Sequence, residues 1–204
     1  GRNSQRQNRL FKQIEEDLNW REAELASFKI LISSAHKGSV RESALLRAIW
    51  ALLYAHYEGF CKFAWDLYLG ALEKEKVPRS ACQDNIACLS LVNDFKRLRS
   101  NLTPESIWSF CTSDFPKLMS EPAVFQIKLE TEHNLWPKIF RENAQKIALP
   151  TTMIDEYATR IKTLVARRNE IAHGQKMIIT DIDEYQKYED SALLVMHELA
   201  VNII

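Results

Sequence analysis

The sequence predicts an all-α fold: an antiparallel helical bundle with a segment of shorter helices inserted in its middle. Three observations predict it. Apolar residues recur at three- and four-residue spacing over long stretches. Glycine and proline are scarce, five and six in 204 residues, and they fall between those stretches. Hydrophobic residues make up 46% and charged ones 26%, the balance of a soluble globular chain able to bury a sizeable core. Residues 1–204 are read as a single domain, because no linker-like composition divides them. Its core bundle lies at about 8–75 and 150–204, and the elaboration at about 80–145.

The first helix runs from about Asn8 to His36, with Leu10, Ile14, Leu18, Leu25, Phe28 and Ile32 at helical spacing. Lys37-Gly38 stops it. Ser39-Val40-Arg41-Glu42 reads as a capping box, with Ser39 as N-cap and Glu42 reaching back. The second helix then runs to about Lys74 on the stripe Leu45, Ile49, Leu52, His56, Phe60, Phe63 and Leu67. Lys76-Val77-Pro78 breaks it, and the charged run EKEK at 73–76 is its solvated end. Farther on, Ile86 to Leu98 has helical spacing. Thr103-Pro104-Glu105 starts a short helix through Phe110, with proline at the first helical position. Pro116, Pro122 and Pro137 keep the rest of the middle short or irregular, and a strand pair there stays open. Leu149-Pro150-Thr151-Thr152 opens another long helix with a threonine cap, ending at Gly174 in the left-handed position. Thr180-Asp181 caps a last helix holding Tyr185, Leu193, Leu194, Met196 and Val201.

The formal net charge is zero, which speaks against coating nucleic acid by general electrostatics and leaves only a local site for such chemistry. Cys61, Cys82, Cys88 and Cys111 lack paired metal-ligand spacing, and Cys61 sits within an apolar helical pattern. Reduced thiols and a cytoplasmic location are expected. No apolar run is long enough to span a bilayer, no signal-peptide pattern is present, and no membrane partner is expected. The chain begins at Gly1 without a methionine, so its start is expected to be a truncation point or a cloning remnant.

One stretch breaks its own pattern. In LVARRNEIAHG, residues 164–174, an arginine continues an apolar stripe. Ile154, Tyr157, Ile161, Val165, Arg168 and Ala172 share one helical face. Arg168-Asn169-x-x-x-His173 combines a planar fork of donors suited to phosphate oxygens with a group that exchanges protons near neutral pH. Asn169 can orient either one or donate to phosphate. Arg168 and His173 lie about 140° apart around a helix, whereas Asn169 and His173, four apart, share a face. A splayed helix end, or two copies facing each other, would bring all three to one cleft. Together they suit attack of an RNA 2′-hydroxyl on its adjacent phosphate. The bland alternative has Arg168 reaching out from the bundle edge and His173 satisfying the last carbonyls of its helix.

The stretch LVARRNEIAHG resembles the signature of HEPN domains (higher eukaryotes and prokaryotes nucleotide-binding), an arginine, a polar residue, a few others and a histidine. LLYAHYEGFCKFAWDLYL, residues 52–69, resembles an early helix of the branch associated with RNA processing and toxin–antitoxin or defence systems (RiboL-PSP-HEPN-like). Its alanine–x–x–glutamate–glycine–phenylalanine pattern is met here by Ala55, Glu58, Gly59 and Phe60. HNLWPKIFRENAQKIAL, which precedes the motif helix, has the look of the same branch. The resemblance implies a bundle that dimerises with its motif helices together. It also implies metal-independent endoribonuclease activity leaving a 2′,3′-cyclic phosphate and a 5′-hydroxyl, with no cofactor. Arg168 would bind and polarise the scissile phosphate, His173 would act as acid and base, and Asn169 fills the polar position. Arg167 is an alternative start of the motif, turned about 100° from the stripe. The partners implied are an RNA substrate, a second copy of the chain, and an antitoxin or defence-system protein. The alternative function is a HEPN-like module that binds RNA, a nucleotide or a protein without cutting.

Other residues carry paired readings. Glu58 could hydrogen-bond Arg168 or His173 and hold it in register, or form a half-buried ion pair of its own; unpaired, it would be costly. His56 is read as a satisfied core histidine. His36, His133 and His197 form no close-spaced ligand set, and no metal is expected. Trp20, Trp50, Trp65, Trp108 and Trp136 are read as core or interface packing rather than base-stacking platforms.

Overall fold

The computed structural model describes the backbone of residues 2–204 and side chains from Ser4 onward, so the expectation about Gly1 lies outside the described residues. Two long helices come first, α1 (Arg2–Ser33) and α2 (Val40–Glu75). At their junction Ser39 Oγ accepts the Glu42 N–H at 3.1 Å. The Glu42 carboxylate accepts the Gly38 N–H at 3.0 Å, so the capping box closes one residue before the N-cap. The short connection makes α1 and α2 antiparallel neighbours. Ile14, Leu18, Leu25 and Ile32 of α1 are buried, as their spacing predicts.

The buried side of α2 is broader than the stripe read from sequence. Leu46, Ile49, Trp50, Leu53, Tyr54, Tyr57, Phe60 and Cys61 are buried, while Leu45, Leu52, Phe63 and Leu67 are only half-buried. A helix with neighbours on several sides buries more than one stripe, and periodicity alone then misplaces its centre.

The middle of the chain forms α3 (Asp84–Ser90), α4 (Val92–Ser100), α5 (Pro104–Ser109), α6 (Phe115–Ser120) and α7 (Pro137–Lys146). The helix expected over Ile86–Leu98 is thus two, parted at Leu91. Thr103 caps α5 as expected, its hydroxyl accepting the Ser106 N–H at 3.2 Å. α5 does not end at Phe110 but runs through a π turn, Phe110–Asp114, into α6. Pro116 lies just beyond. It lacks an N–H and would crowd the carbonyl four residues back, and the wider turn accommodates it. Among the described residues there is no strand, only an isolated bridge between Pro78 and Pro122. The Arg79 N–H bonds Glu121 O at 3.0 Å and the Ala123 N–H bonds Val77 O at 3.1 Å. The two prolines have no N–H with which to extend that pairing.

The C-terminal part comprises α8 (Thr152–Glu156), α9 (Ala158–Ala172) and α10 (Ile182–Ile203). The single long helix expected to Gly174 is therefore interrupted at Tyr157. Thr151 does not cap it through its side chain, since that hydroxyl donates to Asp155 Oδ2 at 2.7 Å. α10 is capped as expected by Asp181, which accepts the Glu184 N–H at 2.8 Å. α10 runs antiparallel to α1, with Lys29 Nζ 2.9 Å from the buried Glu189 and His197 Nε2 2.8 Å from Glu22.

By contacts the chain falls into two units. The first is Gly1–Ala64, Thr131–Arg141 and Thr151–Ile204; the second is Trp65–Glu130 and Glu142–Pro150. The stretch from Thr131 to Arg141, placed in the elaboration by sequence, goes with the bundle. All residues of the motif lie in the first unit. No helix among the described residues is long and apolar enough to cross a membrane.

Candidate active site

The site is built on one side of α2. Trp50 donates its indole N–H to the Leu164 carbonyl at 3.0 Å, which ties α9 to α2 one turn before the motif. Successive residues then diverge by about 100°. Arg167 turns to α10, where its Nη1 lies 2.7 Å from Glu184 Oε1 and its guanidinium lies over the rings of Trp50 and Tyr188. Burial works against the Glu184 charge, but the bonds from Arg167 and from the Thr180 N–H outweigh it and hold the carboxyl below its ordinary range. Arg167 is a clamp between helices.

Arg168 turns the other way, and its guanidinium lies flat on α2. Its Cζ is 3.8 Å from the centroid of the Tyr54 ring, and Nη2 donates to the His133 carbonyl at 3.2 Å. Among the described residues no carboxylate pairs with it, and its Nε is buried without a hydrogen-bond partner. The aromatic face attracts the cation without neutralising it. The result is a half-buried positive charge with no carboxylate partner among the described residues.

The carbonyl that receives Arg168 belongs to a loop that α2 holds in place. The Tyr54 hydroxyl accepts the Leu135 N–H at 2.9 Å, the Tyr57 hydroxyl donates to the Leu135 carbonyl at 3.1 Å, and Thr131 Oγ1 donates to Glu58. Residues 54, 57 and 58 stand at the helical spacing that puts them side by side. Burial pushes both phenols up, so both remain protonated. Two consecutive non-glycine residues of this loop, Glu132 (φ 53°) and His133 (φ 68°), sit in the left-handed region. Such conformations cost of order 1–3 kcal/mol each and persist only where the surroundings fix them. The buried Asn134 Oδ1 has no hydrogen-bond partner among the described residues.

His173 lies just past the end of α9 and is exposed. A Schellman closure forms there: the Gly174 N–H bonds Ile171 O at 3.0 Å and the Gln175 N–H bonds Glu170 O at 2.9 Å, with Gly174 at φ +72° as its pattern predicts. Asn169 is half-buried, one turn before His173, and its carbonyl accepts the His173 N–H at 2.9 Å. Within one chain the structure brings Arg168 to Tyr54 and His133; it does not bring His173 into contact with Arg168. Ala172, at the end of the expected stripe, is exposed. Glu58 takes its hydrogen bond from Thr131, so it supports the loop rather than bonding Arg168 or His173.

Two residues of this arrangement escaped the sequence reading. Tyr54 stands one turn before Glu58 in a stretch already singled out, and His133 opens another. Nothing local announces that both touch a side chain more than thirty residues away.

A second polar cluster lies between α1 and α2. His56 is 3% exposed, a core position as expected; its Nε2 lies 2.6 Å from Glu24 Oε2 without hydrogen-bond geometry, and its Nδ1 lies 3.4 Å from Arg21 Nη1. Arg21 pairs with Asp17 at 2.7 Å. Burial pulls the imidazole pKa below its ordinary value, Glu24 acting against that and Arg21 with it. A Cβ on Gly59 would stand 2.9 Å from Arg21 Nη1, which gives the glycine of the 52–69 stretch a steric reason. Of the tryptophans, Trp50 and Trp65 are core, while Trp108 is 73% exposed, so core packing does not hold for it. Among the described residues no three His, Cys, Asp or Glu are grouped to hold a metal ion.

The bundle is all-α among the described residues, and its helix α9 ends in an arginine–polar–x–x–x–histidine run with the arginine laid on α2. The chain belongs to the HEPN family: the family model described as HEPN_MAE_28990-like HEPN matches residues 10–204. No curated protein and no solved structure matches it.

Proposed function

We propose that the chain is a metal-independent endoribonuclease of HEPN type, acting as a homodimer in the cytoplasm as a toxin or antiviral-defence effector. HEPN domains are frequently ribonucleases. The observation that carries the reading is Arg168, a half-buried guanidinium on an aromatic face with no carboxylate partner among the described residues. A phosphate oxygen is the partner its geometry suits. In the reaction the 2′-oxygen of RNA bonds to the adjacent phosphorus and the bond to the 5′-oxygen breaks. The proton of the 2′-hydroxyl leaves to a base, and the 5′-oxygen receives one from an acid. Arg168 offsets the charge gathering on the phosphoryl oxygens, His173 handles protons, and Asn169 orients His173 from one turn away. Because His173 stands apart from Arg168 within one chain, we assign the complete cleft to two motif helices facing each other. An antitoxin or defence-system protein would restrain it.

The test is cleavage of end-labelled RNA in excess EDTA. Wild type should yield cyclic-phosphate and 5′-hydroxyl ends, and Arg168→Ala and His173→Ala should each lose on the order of 10²–10⁴ in rate while remaining folded. A folded wild-type protein that cuts no RNA in a broad panel would sink the reading. The exposure of His173 and the zero net charge favour, as the second reading, a module that binds RNA, a nucleotide or a protein without cutting it. Then the same substitutions would weaken binding and leave no cleavage to lose.

A further inference from the structure

A cavity of about 410 Å³ opens in the bundle between the start of α7 and the start of α9. Its lining includes the apolar Trp136, Ile139 and Ala158 and the cationic Lys138, Arg141 and Lys162, and no carboxylate among the described residues. Asp155 bonds Arg141, whereas Lys162 is exposed at the rim. An aromatic wall edged by cations suits a nucleobase stacked within and a backbone phosphate at the mouth.

The cavity also has an address. His133, whose carbonyl receives Arg168, and Trp136, which lines the cavity, are three residues apart in the loop held by Tyr54 and Tyr57. Three residues of chain reach at most about 10 Å, the span of a nucleotide or two. A chain of zero net charge cannot hold RNA by a general field and needs discrete subsites of this kind.

We propose that this cavity is a nucleobase subsite, taking a base of single-stranded RNA one or two nucleotides from the phosphate on Arg168, and that it sets sequence preference. The inference rests on the RNA reading of Arg168, but not on cleavage.

The experiment measures binding of fluorescein-labelled RNA hexamers, varied one base at a time and 2′-O-methylated so that nothing is cut, to the full chain. Trp136→Ala, Trp136→Phe and Ala158→Leu are added in turn, and thermal unfolding checks each fold. The base wild type prefers should bind Trp136→Ala about tenfold or more weakly, with the preference flattened, and Trp136→Phe should keep part of it. Ala158→Leu adds bulk to the cavity lining from α9 and should act like Trp136→Ala, which covers the case in which that variant does not fold. Unchanged affinity and base preference in folded Trp136→Ala and Ala158→Leu would overturn the subsite, as would failure of the parent protein to bind any hexamer. Base-selective binding that these variants abolish, in a protein that never cuts RNA, would keep the subsite and remove the nuclease.

Discussion

Arg167 and Arg168 are adjacent in sequence and differ in every physical respect. Arg167 has a carboxylate and two aromatic rings, and its charge is consumed in joining α9 to α10. Arg168 has a ring and a carbonyl, and its charge is left over. Arg167→Ala should therefore lower stability by about 1–2 kcal/mol, through the lost pair and ring contacts. Arg168→Ala should leave the melting temperature within a few degrees while removing activity; paired melting and cleavage assays on the two variants check this. The stripe through Ile161 and Val165 put the two arginines on different faces, because that depends only on helical geometry, although both are half-buried. The partners of Arg168 were not legible, since Tyr54 and His133 are brought to it by the fold. His56 supplies a pH dependence at the same scale. Its folded pKa is below the unfolded value of about 6.5. Above 6.5 it is neutral in both states and its full contribution is present. As pH falls below 6.5 the unfolded chain takes the proton first, and stability declines until the folded pKa is passed. Denaturant midpoints between pH 7.5 and 5 should fall more for wild type than for His56→Gln, and equal slopes would refute the assignment.

Among the elements, those ended by local chemistry were readable and those ended by packing were not. Ser39, Thr103 and Asp181 each accept an N–H three residues on, as their positions relative to the apolar runs suggest. The breaks at Leu91 and Tyr157 occur at residues with no breaking tendency of their own, and Thr151 spends its hydroxyl on Asp155. The breadth of burial on α2 was hidden for a related reason, as a stripe shows one face and this helix has several. The Schellman closure of α9 yields a prediction at this scale. Gly174→Ala should cost about 1 kcal/mol, because an alanine is strained at φ +72°. If the splayed end is what presents His173, cleavage should fall by more than the lost folded fraction; a fall that merely tracks unfolding would remove the helix end from the mechanism.

At the scale of the molecule, separation of Arg168 and His173 within one chain bears on assembly. If each cleft takes its arginine from one copy and its histidine from the other, mixing inactive Arg168→Ala with inactive His173→Ala creates dimers in which one of the two clefts is intact. Random exchange makes half the dimers mixed, so activity should return to about a quarter of the wild-type level. No recovery after verified subunit exchange would place both residues of a cleft on the same chain.

The contact between Gly59 and Arg21 reaches into the history of the sequence. A Cβ at 59 would stand 2.9 Å from Nη1 of Arg21, whose guanidinium is buried and paired with Asp17. In lineages of this fold a side chain at 59 should therefore coincide with a displaced arginine or a shorter residue at 21. The pair would then be a marker, readable in any alignment, of how the first two helices meet.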